Sequence, residues 1–276
     1  MTDRNPTPPK LTDTDQLAQA RARARPDGMF LQDLAVDEIH DRLNMVNRRF
    51  TSPAIVTGFP EVWGAAFPNA KIVPDSDALS LGREAHDLVI HAMGLHWAND
   101  PVGQLVQCRL ALKPDGLLLG ICFGGQTLAE LRAVLAETET EMRGGLSPRV
   151  APMGEIRDLG ALLQRAGFAL PVADSMARDV TYGDIYALMR DLRLMGERNA
   201  LASRNPTPMP RSFFDQANAR YKQHFPAEQG RISASFELIT LTGWAPDDSQ
   251  PKPLRPGSAA ARLADVLNTS ETKLTD

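Results

Sequence analysis

The stretch DLVIHAMGLHWANDPVGQLVQCRLALKPDGLLLG, Asp87 to Gly120, carries the fold reading of the whole chain. It opens on Asp87-Leu88-Val89-Ile90, an apolar run of buried-strand length, and runs into a second such strand, Leu117 to Phe123. Between them Asp100 is a natural N-cap, and Pro101 suits the first helical position, whose N–H has no intrahelical partner. Val102, Leu105, Val106 and Leu110 then recur at helical spacing, and Pro114-Asp115-Gly116 reads as the turn back. Parallel strands need a crossover, so strand, helix, turn and strand predict a parallel sheet.

The same alternation extends outward. Upstream, Leu31, Leu34, Ile39, Leu43 and Val46 predict a helix over 30–50. Ala54-Ile55-Val56 predicts a short strand ending at Thr57-Gly58; a brief helix through Val62, Trp63 and Phe67 and a strand at Ala70 to Val73 follow. Downstream, Gly124-Gly125 breaks the strand, and Thr127 with Glu130 is a capping-box signature for a helix through Leu128, Leu131 and Leu135. Further helices carry Ile156, Leu159, Leu162 and Leu163, ended by Gly167, and Asp184 to Met195, closed by Gly196. Phe214, Tyr221 and Phe225 mark a helix packed over the mouth of a site. Ile232, Ala234, Phe236 and Leu238 share one face of a last strand. The expected fold is α/β, a mostly parallel sheet with helices on both faces. Ligands in such sheets bind beyond the carboxyl ends of the strands, here Gly58–Glu61, Pro74–Ala78, Ala92–Asp100 and Phe123–Thr127.

Composition agrees with an ordinary globular chain: 276 residues, 43% hydrophobic and 23% charged. No apolar run reaches the roughly 18–20 residues of a membrane span. A net charge of −4 argues against a general nucleic-acid binder. Residues 1–28 and 246–276 are polar and Pro-rich and are expected to be flexible, with one short amphipathic piece at Ala260 to Leu267. A single domain is expected over 29–245. No signal-peptide core precedes residue 28, and Asp3, Asp13 and Asp15 interrupt the arginines of a transit-peptide composition. The expected location is the bacterial cytoplasm, or the mitochondrial matrix in a eukaryote. Cys108 and Cys122 read as small buried hydrophobes. No metal site is expected, since His91 and His96 lack partners at ligand spacing.

Asp87 to Gly120 resembles the fourth and fifth strands of class I S-adenosylmethionine-dependent methyltransferases, with their LKPDG turn. FGGQTLAELR from Phe123, GGLSPRVAP from Gly144, DLGALLQRAGF from Asp158, MRDLRLMGERNA from Met189 and LHWAND from Leu95 resemble the branch containing the mitochondrial complex I assembly factor. The resemblance covers about residues 85–244 and implies a class I methyltransferase-like, Rossmann-like fold with S-adenosylmethionine as cofactor. It also implies a respiratory complex I subunit as protein partner, and peripheral membrane association through that partner. Members of the branch are implied to hydroxylate an arginine. The cofactor contacts it implies fall on Thr57, Gly58, Asp77, Met93 and Gly94, and the catalytic candidates at the ligand end are His96 and Trp97.

The first third departs from the family. A strand-one loop of the pattern D-x-G-x-G-x-G lets bare backbone approach the cofactor. Here AIVTGFPEVWG, Ala54 to Gly64, keeps one glycine in register, and Phe59-Pro60 adds bulk and removes a backbone donor. A βαβ unit takes roughly 30 residues, so the interval from Ala54 to Asp87 holds about one, and the family's second strand has no obvious counterpart. The expectation is a fold shortened in its cofactor half. Its function is then that of an assembly or interaction protein, a pseudo-enzyme with lost or weakened cofactor binding. The alternative is an active methyltransferase or arginine hydroxylase.

Overall fold

The computed structural model describes residues 9–251 of the chain. Its strands are β1 (Pro53–Thr57), β2 (Lys71–Val73), β3 (His86–Ala92), β4 (Leu112–Phe123), β5 (Ala169–Tyr182) and β6 (Ile232–Trp244). They form one sheet in the order β2-β1-β3-β4-β6-β5. The first four are mutually parallel, and β6 lies antiparallel between β4 and β5. The helices are α1 (Thr14–Arg21), α2 (Phe30–Met45), α3 (Pro60–Ala66), α4 (Pro101–Ala111), α5 (Ala129–Arg143), α6 (Ile156–Arg165), α7 (Ile185–Leu194) and α8 (Arg211–His224).

The pleat sends alternate side chains to opposite faces, and both faces are apolar. Ile55, Leu88, Ile90, Leu117, Leu119, Ile121, Phe236 and Leu238 pack against α2, α3, α5, α7 and α8. Ala54, Val56, Val89, Leu118, Cys122, Ile239 and Leu241 face α4 and α6. This two-sided burial explains why the central strands read as continuous apolar runs. Asp100 caps α4 by accepting from the Gly103 N–H at 2.8 Å, and Gly167 (φ +83°) and Gly196 (φ +79°) follow α6 and α7 in the left-handed conformation.

Several expectations are corrected. Residues 9–28, expected to be flexible, carry α1, whose Leu17 and Ala20 are buried. This segment is laced down by Asp13 N–H to the Ala200 carbonyl (2.8 Å) and Arg25 N–H to the Leu194 carbonyl (2.8 Å). Its polar composition concealed this because much of the anchoring is by backbone groups and by ion pairs, Arg21 with Asp75 and Asp13 with Arg204, whose members are distant in sequence. A single strand, β2, pairs with the outer side of β1, and the chain passes from it to β3, so the cofactor half is short of one strand. Thr127 and Glu130 form no capping box. Thr127 Oγ1 donates to the Glu237 carbonyl and Glu130 accepts from Ser235, while Leu128 takes the N-cap at φ +56°. Pro114-Asp115-Gly116 lies inside the span of β4, with Asp115 at φ +57° and a register break against β3. Strand β5 had no prediction, since it lies at the sheet edge with exposed Ser175, Ala177, Arg178 and Asp179 and no clean apolar alternation.

The compact unit ends at Pro246, and Asp247 begins a second unit. In the latter Ser249 donates to Asp247 Oδ1 from its N–H (2.9 Å) and hydroxyl (2.6 Å). The Ala260 to Leu267 piece and residues 1–8 lie outside the described residues. No helix among the described residues is long and apolar enough to cross a membrane.

Candidate functional site

The carboxyl ends of β1, β3 and β4 deliver Thr57-Gly58, Met93 to Trp97 and Phe123 to one end of the sheet. Thr57 is turned to its own chain, its Oγ1 accepting from the Phe59 N–H at 3.1 Å. A methyl on Gly58 would stand 2.1 Å from Arg21 Nη1, and one on Gly94 2.3 Å from Asp75 Oδ2. Both glycines are thus sites of close approach, and the chain's own ion pair makes that approach. Arg21 Nη1 donates to Asp75 Oδ1 (2.8 Å) and Oδ2 (2.9 Å), and the guanidinium carbon lies 5.3 Å from the Phe59 ring centre. The two side chains are 9% and 10% exposed. A pair so removed from water depends on mutual attraction to offset desolvation.

Met93 is fully buried at φ +51°, a conformation costly for a non-glycine residue, and its N–H donates to the Ile121 carbonyl at 2.8 Å. Asp77 is exposed, and its backbone carbonyl accepts from Gln107 Nε2 at 2.9 Å. Of the five cofactor candidates, the structure brings Gly58 and Gly94 together around Arg21 and Asp75, and leaves Asp77 outside.

His96 and Trp97 converge on a residue that the sequence did not single out. Glu197 Oε2 accepts from Trp97 Nε1 at 2.7 Å and lies 3.3 Å from His96 Nε2, while the His96 ring meets Phe123 edge-on at 5.0 Å. The Glu197 side chain is only 7% exposed. Burial pushes its carboxyl up, but His96, Arg21 and the Trp97 N–H outweigh that and hold it below the usual glutamate range. Glu197 Oε1, His96 Nδ1, Arg21 Nε and Arg21 Nη2 are buried without a hydrogen-bond partner. The signal for Glu197 was the charged tail of MRDLRLMGERNA, just past the Gly196 cap, where the chain turns back to the site. His91 serves the fold instead: its Nε2 lies 2.8 Å from Gln104 Oε1, and burial lowers its basicity.

Trp97 and Glu197 also line a cleft of about 220 Å³ walled by Phe123, Leu131, Met189 and Phe214, with Arg193 and Arg198 beside it. Phe214 supplies the wall that the sequence expected of α8, whereas Tyr221 is core. Arg149, at the same cleft, is held by Glu139, accepting at 2.8 and 2.6 Å, which keeps that carboxyl down at about 2. Among the described residues no group of three or more His, Cys, Asp and Glu stands together as a metal site.

The sheet order and the two helical layers make a mostly parallel, methyltransferase-like α/β fold. The chain is 38% identical to the mitochondrial arginine hydroxylase NDUFAF5 of Rattus norvegicus over 205 residues, 74% of this chain and 60% of the relative. It is also 33% identical to the malonyl-[acyl-carrier protein] O-methyltransferase of Methylovorus sp. over 175 residues, 63% of this chain and 56% of the relative. The chain therefore spans less than two thirds of these relatives. No family model matches. Among solved structures, a Bacillus halodurans protein described as a methyltransferase aligns with 76% of this chain and 99% of its own, at TM-score 0.49 and 15% identity.

Proposed function

We propose that this chain is an assembly or interaction protein of the respiratory complex I pathway, with S-adenosylmethionine binding lost or weakened. The observation that carries the reading is the Arg21–Asp75 pair lodged between Gly58 and Gly94. A methionine end would compete with this pair for the space beside the two glycines, which supports the reading. Phe59 and Pro60 take further room and a donor from the same loop. The protein partner is a complex I subunit, as the kinship with NDUFAF5 suggests, and the cleft beside Trp97 is where that partner would dock.

A second reading is favoured by one observation: the buried carboxylate of Glu197, with Trp97 and His96 on it, is a costly arrangement at a cleft mouth and suits an enzyme acting on a protein arginine. Calorimetric titration with S-adenosylmethionine separates the two. Silence up to about millimolar cofactor, the weak end of the affinity scale, is expected on the first reading. Micromolar binding would overturn it in favour of the second. Affinity capture from source membranes is expected to recover a complex I subunit; recovery of no respiratory subunit would sink the assembly role.

A further inference from the structure

Strand β5 ends the sheet, and among the described residues no other strand pairs with its outer side. The open stretch is delimited at both ends. Pro171 lacks an N–H, and the ladder with β6 is irregular between Ala169 and Val172. At the far end Arg231 donates to the Thr181 carbonyl. The nine residues between, VADSMARDV, are regular strand in unbroken register with β6. Such an edge is a template for another strand unless charges forbid it.

The charges here oppose two of the central registers and favour one of the rest. Two copies joined edge to edge by antiparallel strands are related by a two-fold axis normal to the sheet, so residues opposite one another lie on the same face. Asp174, Met176, Arg178 and Val180 share one face; Met176 and Val180 pack toward the layer of α2 and α7, while Ala173 packs toward that of α6. An axis at Asp174 or at Arg178 sets like charges against each other, which is unfavourable for directly opposed residues. An axis at Ser175 or Ala177 sets Arg178 against Val172 or Met176. With the axis at Met176, Asp174 meets Arg178 of the other copy twice over, and Val172 meets Val180. Asp179 then falls opposite Ala173, with no like-charge contact. The side chains are available: Arg178 is exposed and among the described residues donates to the carbonyl of Ala177 beside it, and Asp174 is 46% exposed although Arg42 already holds its Oδ2. Val172 is 50% exposed.

We infer that the outer edge of β5 pairs with β5 of a second copy of this chain, antiparallel and centred on Met176, giving a two-fold dimer with one continuous sheet.

Two measurements on the full chain test this. In Met176→Cys the introduced thiol faces its own symmetry mate, and directly opposed antiparallel Cα atoms lie about 4.5–5.5 Å apart, inside the disulfide range. Mild oxidation should give a covalent dimer within minutes, whereas Val180→Cys, whose mate lies several residues away, should not. Cys108 and Cys122 are fully buried and do not compete. In sedimentation equilibrium, Arg178→Asp should raise the dimer dissociation constant by about tenfold or more, because two opposite-charge pairs become two like-charge pairs, and Arg178→Lys should leave it near wild type. Circular dichroism shows that each variant is folded. A chain that is monomeric at about 100 μM overturns the inference. So does a dimer indifferent to Arg178→Asp and without the Met176→Cys crosslink, since it joins through another surface or needs a different partner.

Discussion

Trp97 Nε1 donates to Glu197 Oε2 at 2.7 Å across 100 positions of sequence. The bond ties the loop after β3 to the segment after α7, and it presents a buried carboxylate beside the cleft. Trp97→Phe keeps most of the ring and removes the donor. A hydrogen bond to a charged group contributes about 1.5–3 kcal/mol, and a loss of that size is expected in urea unfolding. In Glu197→Gln the same tryptophan change should cost less, because the acceptor is neutral; equal costs in both backgrounds would refute the coupling.

Arg21 and Asp75 are buried together, so removing one strands the other. Arg21→Ala is expected to destabilise by about 3–5 kcal/mol. Arg21→Leu with Asp75→Leu should cost less than either single change, because no charge is left unpaired. A double variant as unstable as the sum of the singles would mean that the pair contributes nothing jointly.

The carboxyl of Glu139 is held down at about 2, mainly by its hydrogen bonds from Arg149, against an ordinary value of 4.5. A depressed folded-state value means that the unfolded chain binds the proton first. The stabilisation is complete above about pH 4.5 and is lost as pH falls toward about 2. Glu197, also depressed, adds in the same direction. Thermal melts between pH 6 and pH 2.5 should fall less steeply in Glu139→Gln than in wild type; an unchanged slope would contradict the assignment.

A methyl on Gly28 would stand 2.6 Å from the backbone carbonyl carbon of Leu194, which cannot yield as a side chain can. Gly28→Ala is expected to cost about 1–3 kcal/mol. It should also speed amide exchange at Asp13 and Arg25, whose N–H groups anchor the segment. Unchanged exchange there would show that the segment is held independently of this contact.

Burial raises both thiols, Cys108 and Cys122, to about 12. Neither should react with a disulfide reagent until the chain unfolds, and then both should. Fast labelling of the native protein would contradict the packing.

The parallel core was readable because burial on both faces writes itself locally: Leu88 to Ile90 and Leu117 to Ile121 are apolar without interruption, and Asp100-Pro101 announces its helix. The shortened cofactor half was also readable, as an interval too brief for the strands it should hold. β5 and α1 were not. An edge strand needs no apolar alternation, and α1 is held by backbone bonds and by two ion pairs, Arg21 with Asp75 and Asp13 with Arg204, whose members are distant in sequence.

The chain's periodicity and capping residues therefore settle the elements of the parallel core and which ends of its strands gather the site, because those depend on neighbours a few positions apart. Which side chains meet at that site was decided by folding. Arg21 reaches Asp75 across 54 positions, and His96 and Trp97 share Glu197 across about a hundred. Such pairs leave no local pattern. They exist because the sheet order brings those loops together and because a charge removed from water must find its opposite.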